Sequence, residues 1–140
     1  MTARTTLLGC ALAASLFGCG PPSECSLVVD TVAPRLAHIK EIQPSSLAPS
    51  SVADLRATSD AYNDLAAVTE RLTITENRVK DLANRYHENA VNLAIGYKLL
   101  ADALASEDAG ELRSAKVAMD RGASNELQLR KKLEEICVLH

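Results

Sequence analysis

The residue types that carry most enzyme chemistry are present in this sequence, but not in the arrangements that catalysis requires. His87 and Glu88 begin like the zinc-protease motif His-Glu-x-x-His, but Val91 stands where the second zinc-binding histidine is needed. Glu134 and Glu135 are adjacent, so on a helix they point to different faces and cannot act as an acid–base pair. The sequence contains no glycine-rich phosphate loop, Gly-x-Ser-x-Gly motif or Cys-x-x-Cys-His motif. We therefore expect no catalytic residues, no metal site and no cofactor.

The N-terminus has the layout of a bacterial export signal. Arg4 supplies a positive charge, and an apolar run extends over residues 6–17. This run is too short to span a bilayer, which takes about 20 residues of helix, but it is typical of a signal peptide. The run ends in Leu16-Phe17-Gly18-Cys19, which resembles the lipobox of bacterial lipoproteins.

The resemblance implies a covalent membrane anchor. In that family, signal peptidase II would cut after Gly18, and Cys19 would carry a diacylglycerol thioether, often with another acyl chain on the new amino group. Two or three acyl chains hold a protein stably at a membrane. The earlier Leu7-Leu8-Gly9-Cys10 fits the same pattern, but too few apolar residues precede it. We therefore predict lipidation at Cys19.

These assignments divide the chain into a signal peptide (1–18), a lipidated tether (19–23) and a helical domain (24–140). Pro21 and Pro22 make the tether short and stiff, so the domain should sit close to the lipid. Residue 20 is glycine. In Gram-negative lipoproteins an aspartate at that place often means inner-membrane retention, so the resemblance favours the outer membrane.

Two cysteines remain once Cys10 is removed with the signal peptide and Cys19 is lipidated. An even pair in an oxidising compartment favours a disulfide, so we predict that Cys25 bonds to Cys137. It would close a loop of more than a hundred residues, for which the chain-entropy model gives a stabilisation of the folded state on the order of 4–5 kcal/mol. Two isolated cysteines are a poor zinc site, since zinc takes four ligands.

Composition favours helix and argues against nucleic-acid binding. The chain has one Phe, three Tyr and no Trp, whereas sheet domains draw on aromatic and β-branched residues. Its formal net charge is −3, and it becomes one unit more negative when Arg4 is removed. Nucleic-acid binding normally needs a basic stripe that neutralises phosphates, and the sequence has none.

The apolar spacing predicts an all-α domain. Residues 24–43 have helical periodicity across Pro34, and Pro44 and Pro49 mark a connector before a Ser51–Asp54 capping box. A final helix is predicted from about Asp108 to Cys137. Between them, residues 51–104 have only one Gly and no Pro, and apolar residues recur every seven positions at Leu65, Leu72, Val79, Tyr86, Leu93 and Leu100.

Two architectures fit this pattern. We favour an antiparallel helical bundle with a long, straight or kinked, central helix over residues 51–105, since the heptad continues through residues 73–76 without Gly, Pro or Asn. The alternative is a compact four-helix up-down bundle, in which Thr73 and Glu76 form a capping box at a reversal. In both architectures Cys25 and Cys137 meet.

The predicted function is a structural or protein-interaction role. We expect a lipid-anchored protein of the cell envelope that contacts the membrane through Cys19, with no nucleic-acid partner and no evident small-molecule substrate. A rival hypothesis is a module that docks a periplasmic partner, or a second copy, through the helical seam. The seam is rich in small residues that let helices approach closely: Ala83, Ala90, Ala115 and Gly122.

Overall fold

The structure of the protein is a computed structural model that describes residues 23–44 and 51–137. These residues form four α-helices and no strand: α1 (Glu24–Ile42), α2 (Val52–Glu70), α3 (Asn77–Ser106) and α4 (Ala109–Cys137). The predicted all-α bundle is therefore confirmed. Among the described residues, no helix has the length and apolar character that crossing a bilayer requires.

Consecutive helices run antiparallel, so the fold is an up-down-up-down bundle. In the residue pairs that touch across α2–α3 and α3–α4, the residue number increases along one helix as it decreases along the other: Ser59–Ala94, Ala66–His87, Gly96–Met119 and Leu93–Gly122. Helix α1 packs mainly against α2 and has fewer contacts with α3 and α4. Its place in the bundle therefore depends on a small number of side chains and on the bond between Cys25 and Cys137.

Helix α1 is a single helix that passes through Pro34, as the sequence predicts. Ser23 caps it, with Oγ accepting a hydrogen bond from the Ser26 amide at 3.1 Å. At the start of α1, Val28 is fully buried and Val29 only partly. Its buried residues, at helical spacing, are Val28, Val32, Leu36 and Ile39.

Helix α2 begins at the predicted capping box. The Asp54 amide donates to Ser51 Oγ at 3.0 Å, and the Ser51 amide donates to Asp54 Oδ2 at 3.2 Å. These two bonds satisfy amides that the first helical turn leaves without partners. The box also lowers the pKa of the Asp54 carboxyl, mainly through its hydrogen bonds with Ser51.

The prediction of a long central helix over residues 51–105 is wrong, because the chain reverses between α2 and α3. Helix α2 ends at Glu70, and residues 72–75 are not helical. Ile74 is buried and closes this end of the core, and Glu76 caps α3 by accepting from the amides of Arg78 and Val79 at 3.1 and 3.0 Å. The compact four-helix alternative is confirmed, although its cap is Glu76 and not the Thr73 that the sequence suggested.

The heptad pattern is genuine but does not distinguish one long helix from two antiparallel ones. Both α2 and α3 bury their apolar faces in the same core, so the apolar phase is preserved across the reversal. Tyr62 and Leu65 lie on one side of the reversal, and Tyr86 and Leu93 on the other, all with 3% exposure or less.

The turn between α3 and α4 lies where the sequence places it. Glu107 takes a left-handed backbone conformation with φ of 57°. Asp108 Oδ1 then accepts from the amides of Gly110 and Glu111 at 2.8 and 2.9 Å, which caps α4 next to the predicted start of the final helix. Deeper in the bundle, the absence of a side chain at Gly122 lets α4 approach α3, since a Cβ there would lie 2.5 Å from Leu93 Cδ2.

Candidate functional site

The end of the bundle nearest the predicted lipid anchor is closed by a disulfide. Cys25 at the start of α1 bonds to Cys137 at the end of α4, with a Cα–Cα distance of 5.2 Å. The predicted pairing is confirmed. Cys19, the predicted lipidation site, precedes Cys25 by six residues in the sequence. Cys19 and Cys10 themselves lie outside the described residues.

Glu24 connects the same end of α1 to the reversal between α2 and α3. Its Oε1 accepts from the Thr75 amide at 2.9 Å and from the Thr75 hydroxyl at 2.5 Å. Its Oε2 accepts from the Glu76 amide at 2.7 Å. Hydrogen bonds from Thr75, followed by that from Glu76, hold the pKa of the Glu24 carboxyl below its ordinary value. This role of Glu24 was not predicted from the sequence, because nothing local marks a partly exposed glutamate as the partner of amides more than fifty residues away.

The histidines do not form a metal site in the described part of the chain. His38 is exposed on α1, and His140 lies outside the described residues. His87 is only partly buried, and its Nδ1 lies 2.9 Å from the Ala66 carbonyl oxygen of α2. Across residues 23–44 and 51–137, no cluster of three or more His, Cys, Asp or Glu side chains could hold a metal ion.

Two tyrosines form a polar network inside the bundle. The Tyr62 and Tyr97 rings stack with centroids 5.7 Å apart. The Tyr62 hydroxyl donates to Glu126 Oε2 at 2.8 Å, and Arg130 donates to the other oxygen of Glu126 at 2.8 Å. Burial raises the pKa of Tyr62 far above its ordinary value, and Glu126 raises it further. This network joins α2, α3 and α4 at mid-height.

The third tyrosine, Tyr86, has no such partner. Only 2% of its surface is exposed, and its hydroxyl has no hydrogen-bond partner among the described residues. A buried hydroxyl left in this state costs about 1–3 kcal/mol. Burial raises the pKa of Tyr86 to about 12, so the hydroxyl stays protonated at neutral pH and can donate a hydrogen bond.

Tyr86 lines a crevice between α1 and α4, which we call the α1–α4 crevice. The crevice has a volume of about 300 Å³, and its surface is mostly apolar. Its walls include Val32, Leu36 and Ala37 of α1 and Leu133 of α4. Small-molecule sites usually span about 300–1,000 Å³ and combine apolar walls with a few polar groups.

A second groove follows the outer side of α3 and α4 and is polar. Asn89, Asn92, Asn125 and Gln128 line it together with charged side chains. Asn89 is 7% exposed, and its amide nitrogen donates to the Gly122 carbonyl at 3.2 Å. Its Oδ1 has no hydrogen-bond partner among the described residues. This groove presents carboxamides from both helices.

The small-residue seam that the sequence suggested as a docking surface lies inside the bundle. Its four small residues are all buried: Ala83, Ala90, Ala115 and Gly122. A partner or second copy would therefore have to contact other residues. Comparison of the chain with protein-family models, curated proteins and solved structures found no match.

Proposed function

We propose that the protein is a lipoprotein of the cell envelope with a structural or protein-interaction role. Its helical domain is held at the membrane surface by acyl chains on Cys19 and is oriented by its disulfide-bonded end. Removal of residues 1–18 by signal peptidase II precedes this anchoring. The outer membrane is the proposed location, because glycine and not aspartate follows Cys19.

One observation supports this arrangement above the others. The start of α1, the end of α4 and the α2–α3 reversal all lie at the end from which the tether emerges, joined by the Cys25–Cys137 bond and by Glu24. A membrane anchor on Cys19 would therefore place this reinforced end against the lipid. At about 1.5 Å per residue, helix α3 would extend roughly 45 Å from it. Such a domain presents its sides to partners in the envelope.

The intact mass of the protein recovered from membranes of a Gram-negative host tests the anchor. We expect the mass of residues 19–140 plus a diacylglyceryl or triacyl group, less two hydrogens for the disulfide. Cys19→Ala should abolish both lipidation and cleavage by signal peptidase II, so the mature lipidated form should be absent from the membrane fraction. Cys10→Ala is the matched control, since it alters the other lipobox-like cysteine and should leave the mature mass unchanged. An unlipidated wild-type product would refute the proposal.

A second candidate function is partner binding or self-association through exposed apolar side chains on α3. Ile95 and Leu99 lie one turn apart on this helix and are 52% and 51% exposed. Val117 of α4 is also exposed, but it does not line the groove to which Ile95 and Leu99 contribute. Light scattering over a concentration series should show a larger species that Ile95→Glu with Leu99→Glu removes and Val117→Glu does not. A concentration-independent monomer would argue against self-association.

A further inference from the structure

The outer side of α3 and α4 carries a groove that runs along most of the bundle, which we call the α3–α4 groove. It extends from Asn77 and Ile136, beside the disulfide, to Leu99 and Ala118 toward the opposite end. Its α3 side is roughly 33 Å long at about 1.5 Å per residue, and two adjacent helices present a face about 20 Å wide. This face offers on the order of 600 Å² to a partner. A dimer would therefore bury about 1,200 Å² in total, which is the lower end of the range for stable interfaces.

At the disulfide end, the two sides of the α3–α4 groove carry complementary charges. Arg78 and Asp81 line this part from α3, and Lys132 and Glu135 line it from α4. All four side chains are exposed. Within the described part of the chain, Arg78, Lys132 and Glu135 form no ion pair, whereas Asp81 pairs with Arg85 of its own helix. This end of the groove therefore presents charges of both signs to a partner.

The middle of the α3–α4 groove is lined by groups that can hydrogen-bond to one another. Glu88 and Asn92 of α3 are exposed on one side, and Asn125 and Gln128 of α4 are exposed on the other. A carboxamide both donates and accepts hydrogen bonds, and a carboxylate accepts them. Each side of the middle section can therefore bind groups of the kind that the opposite side presents.

The far end of the α3–α4 groove is apolar on both sides. Ile95 and Leu99 of α3, each about half exposed, lie across from Ala118 and Arg121 of α4. The carbon stem of an arginine can cover apolar surface while its guanidinium group stays in water. Along its whole length, each side of the groove is thus the chemical complement of the other. Such a surface fits a second copy of itself.

We propose that the α3–α4 groove binds a second copy of the chain in parallel, about a two-fold axis that runs along the groove. This inference rests on the second candidate function above and names its partner. In this dimer, α3 of one copy lies over α4 of the other at the same height. Residues that face each other across the groove in one chain therefore also face each other between chains. Arg78 meets Glu135 of the other copy, and Asp81 meets Lys132 of the other copy.

The charges and the anchor both favour a parallel over an antiparallel dimer. An antiparallel copy would set Arg78 and Asp81 against Ile95 and Leu99, which would take charges out of water without pairing them. In the parallel dimer, both disulfide-bonded ends point the same way. Two copies held by the proposed lipid on Cys19 can therefore share one bilayer.

Mixing two charge-reversal variants of the full chain tests this arrangement. In a homodimer of Arg78→Glu, the new carboxylate opposes Glu135 at two symmetric places, and in a homodimer of Glu135→Arg, the new guanidinium opposes Arg78 at two. Sedimentation equilibrium should show that each variant alone dimerises about tenfold more weakly than the wild type. An equimolar mixture of the two should regain at least the wild-type affinity, because both contacts of the heterodimer then join opposite charges.

A charge pair elsewhere on α4 provides the matched control. Lys116 and Asp120 are exposed, pair with each other and do not line the α3–α4 groove. Lys116→Glu and Asp120→Lys change the net charge as the two test variants do. They should leave the dissociation constant unchanged, both separately and in an equimolar mixture. Helix content by circular dichroism should match the wild type for Arg78→Glu and Glu135→Arg, because an acid near the start of a helix and a base near its end complement the helix dipole.

The possible outcomes separate this dimer from self-association in general. A mixture of Arg78→Glu and Glu135→Arg that dimerises no more tightly than either variant alone would overturn the parallel arrangement. A wild-type dimer that is indifferent to both reversals would also overturn it, but would leave self-association through another surface. A wild type that stays monomeric at all concentrations would overturn both this inference and the second candidate function. The mass measurement that tests the lipid anchor is independent of all three outcomes.

Discussion

At the scale of single residues, Glu24 does more for the fold than its partly exposed position suggests. One carboxylate accepts two backbone amides and one hydroxyl from Thr75 and Glu76, more than fifty residues along the chain. These amides precede α3 and have no partner in that helix. Glu24 therefore fixes the α2–α3 reversal to the start of α1 and adds a noncovalent contact beside the disulfide.

The lowered pKa of Glu24 predicts how stability responds to acid. A carboxyl whose pKa is lowered by folding stabilises the native state at pH values above its ordinary pKa of 4.5. This contribution is lost as the pH falls through the lowered pKa. We expect the free energy of unfolding of Glu24→Gln to fall less steeply below that pH than that of the wild type. Urea unfolding at a series of pH values measures this difference.

The control for Glu24→Gln is Glu41→Gln, which removes an exposed glutamate near the other end of the same helix. The free energy of unfolding of Glu41→Gln should follow the wild-type pH dependence, because the Thr75 and Glu76 amides donate to Glu24 and not to Glu41. A Glu24→Gln profile parallel to that of the wild type would show that the carboxylate is not held by these amides in solution.

At the scale of elements, local signals located most helix ends but not the central reversal. Ser51 with Asp54, and Asp108 before α4, are caps that the sequence displays within a few residues, and both occur in the structure. The reversal instead depends on contacts with residues far away in sequence. Its conformation is held by Glu24 from α1 and by burial of Ile74, neither of which a local pattern reveals.

The position of Thr73 gives a direct test of the reversal. Thr73 is exposed in the non-helical segment 72–75, so Thr73→Pro should cost little, within about 1 kcal/mol. Asn63→Pro is the matched control, since Asn63 is equally exposed but lies inside α2 and should lose about 3 kcal/mol or more. Urea unfolding followed by circular dichroism measures both. A severe loss of helix with Thr73→Pro would mean that α2 and α3 are continuous after all.

At the scale of the whole molecule, the α1–α4 crevice depends on the distance between the two helices that form it. The sequence predicted that Tyr86 belongs to the apolar face, which is correct. It could not predict that the Tyr86 hydroxyl lacks a partner among the described residues, because this depends on the separation of α1 and α4, which lie at opposite ends of the chain. The Cys25–Cys137 bond was predictable, because setting aside Cys10 in the predicted signal peptide and Cys19 at the predicted lipidation site left two cysteines for one bond.

The bond between Cys25 and Cys137 joins the first and last helices, so its removal should destabilise the whole bundle. The two residues are 112 apart in sequence, and for a loop of this length the chain-entropy model gives on the order of 4–5 kcal/mol. We expect Cys25→Ala with Cys137→Ala to lower the free energy of unfolding in urea by about that amount. Wild-type protein in reductant should match the variant, and the variant itself should not respond to reductant. Equal stability of oxidised and reduced wild type would show that α1 is held to α4 by packing alone, which the sparse contacts between these helices argue against.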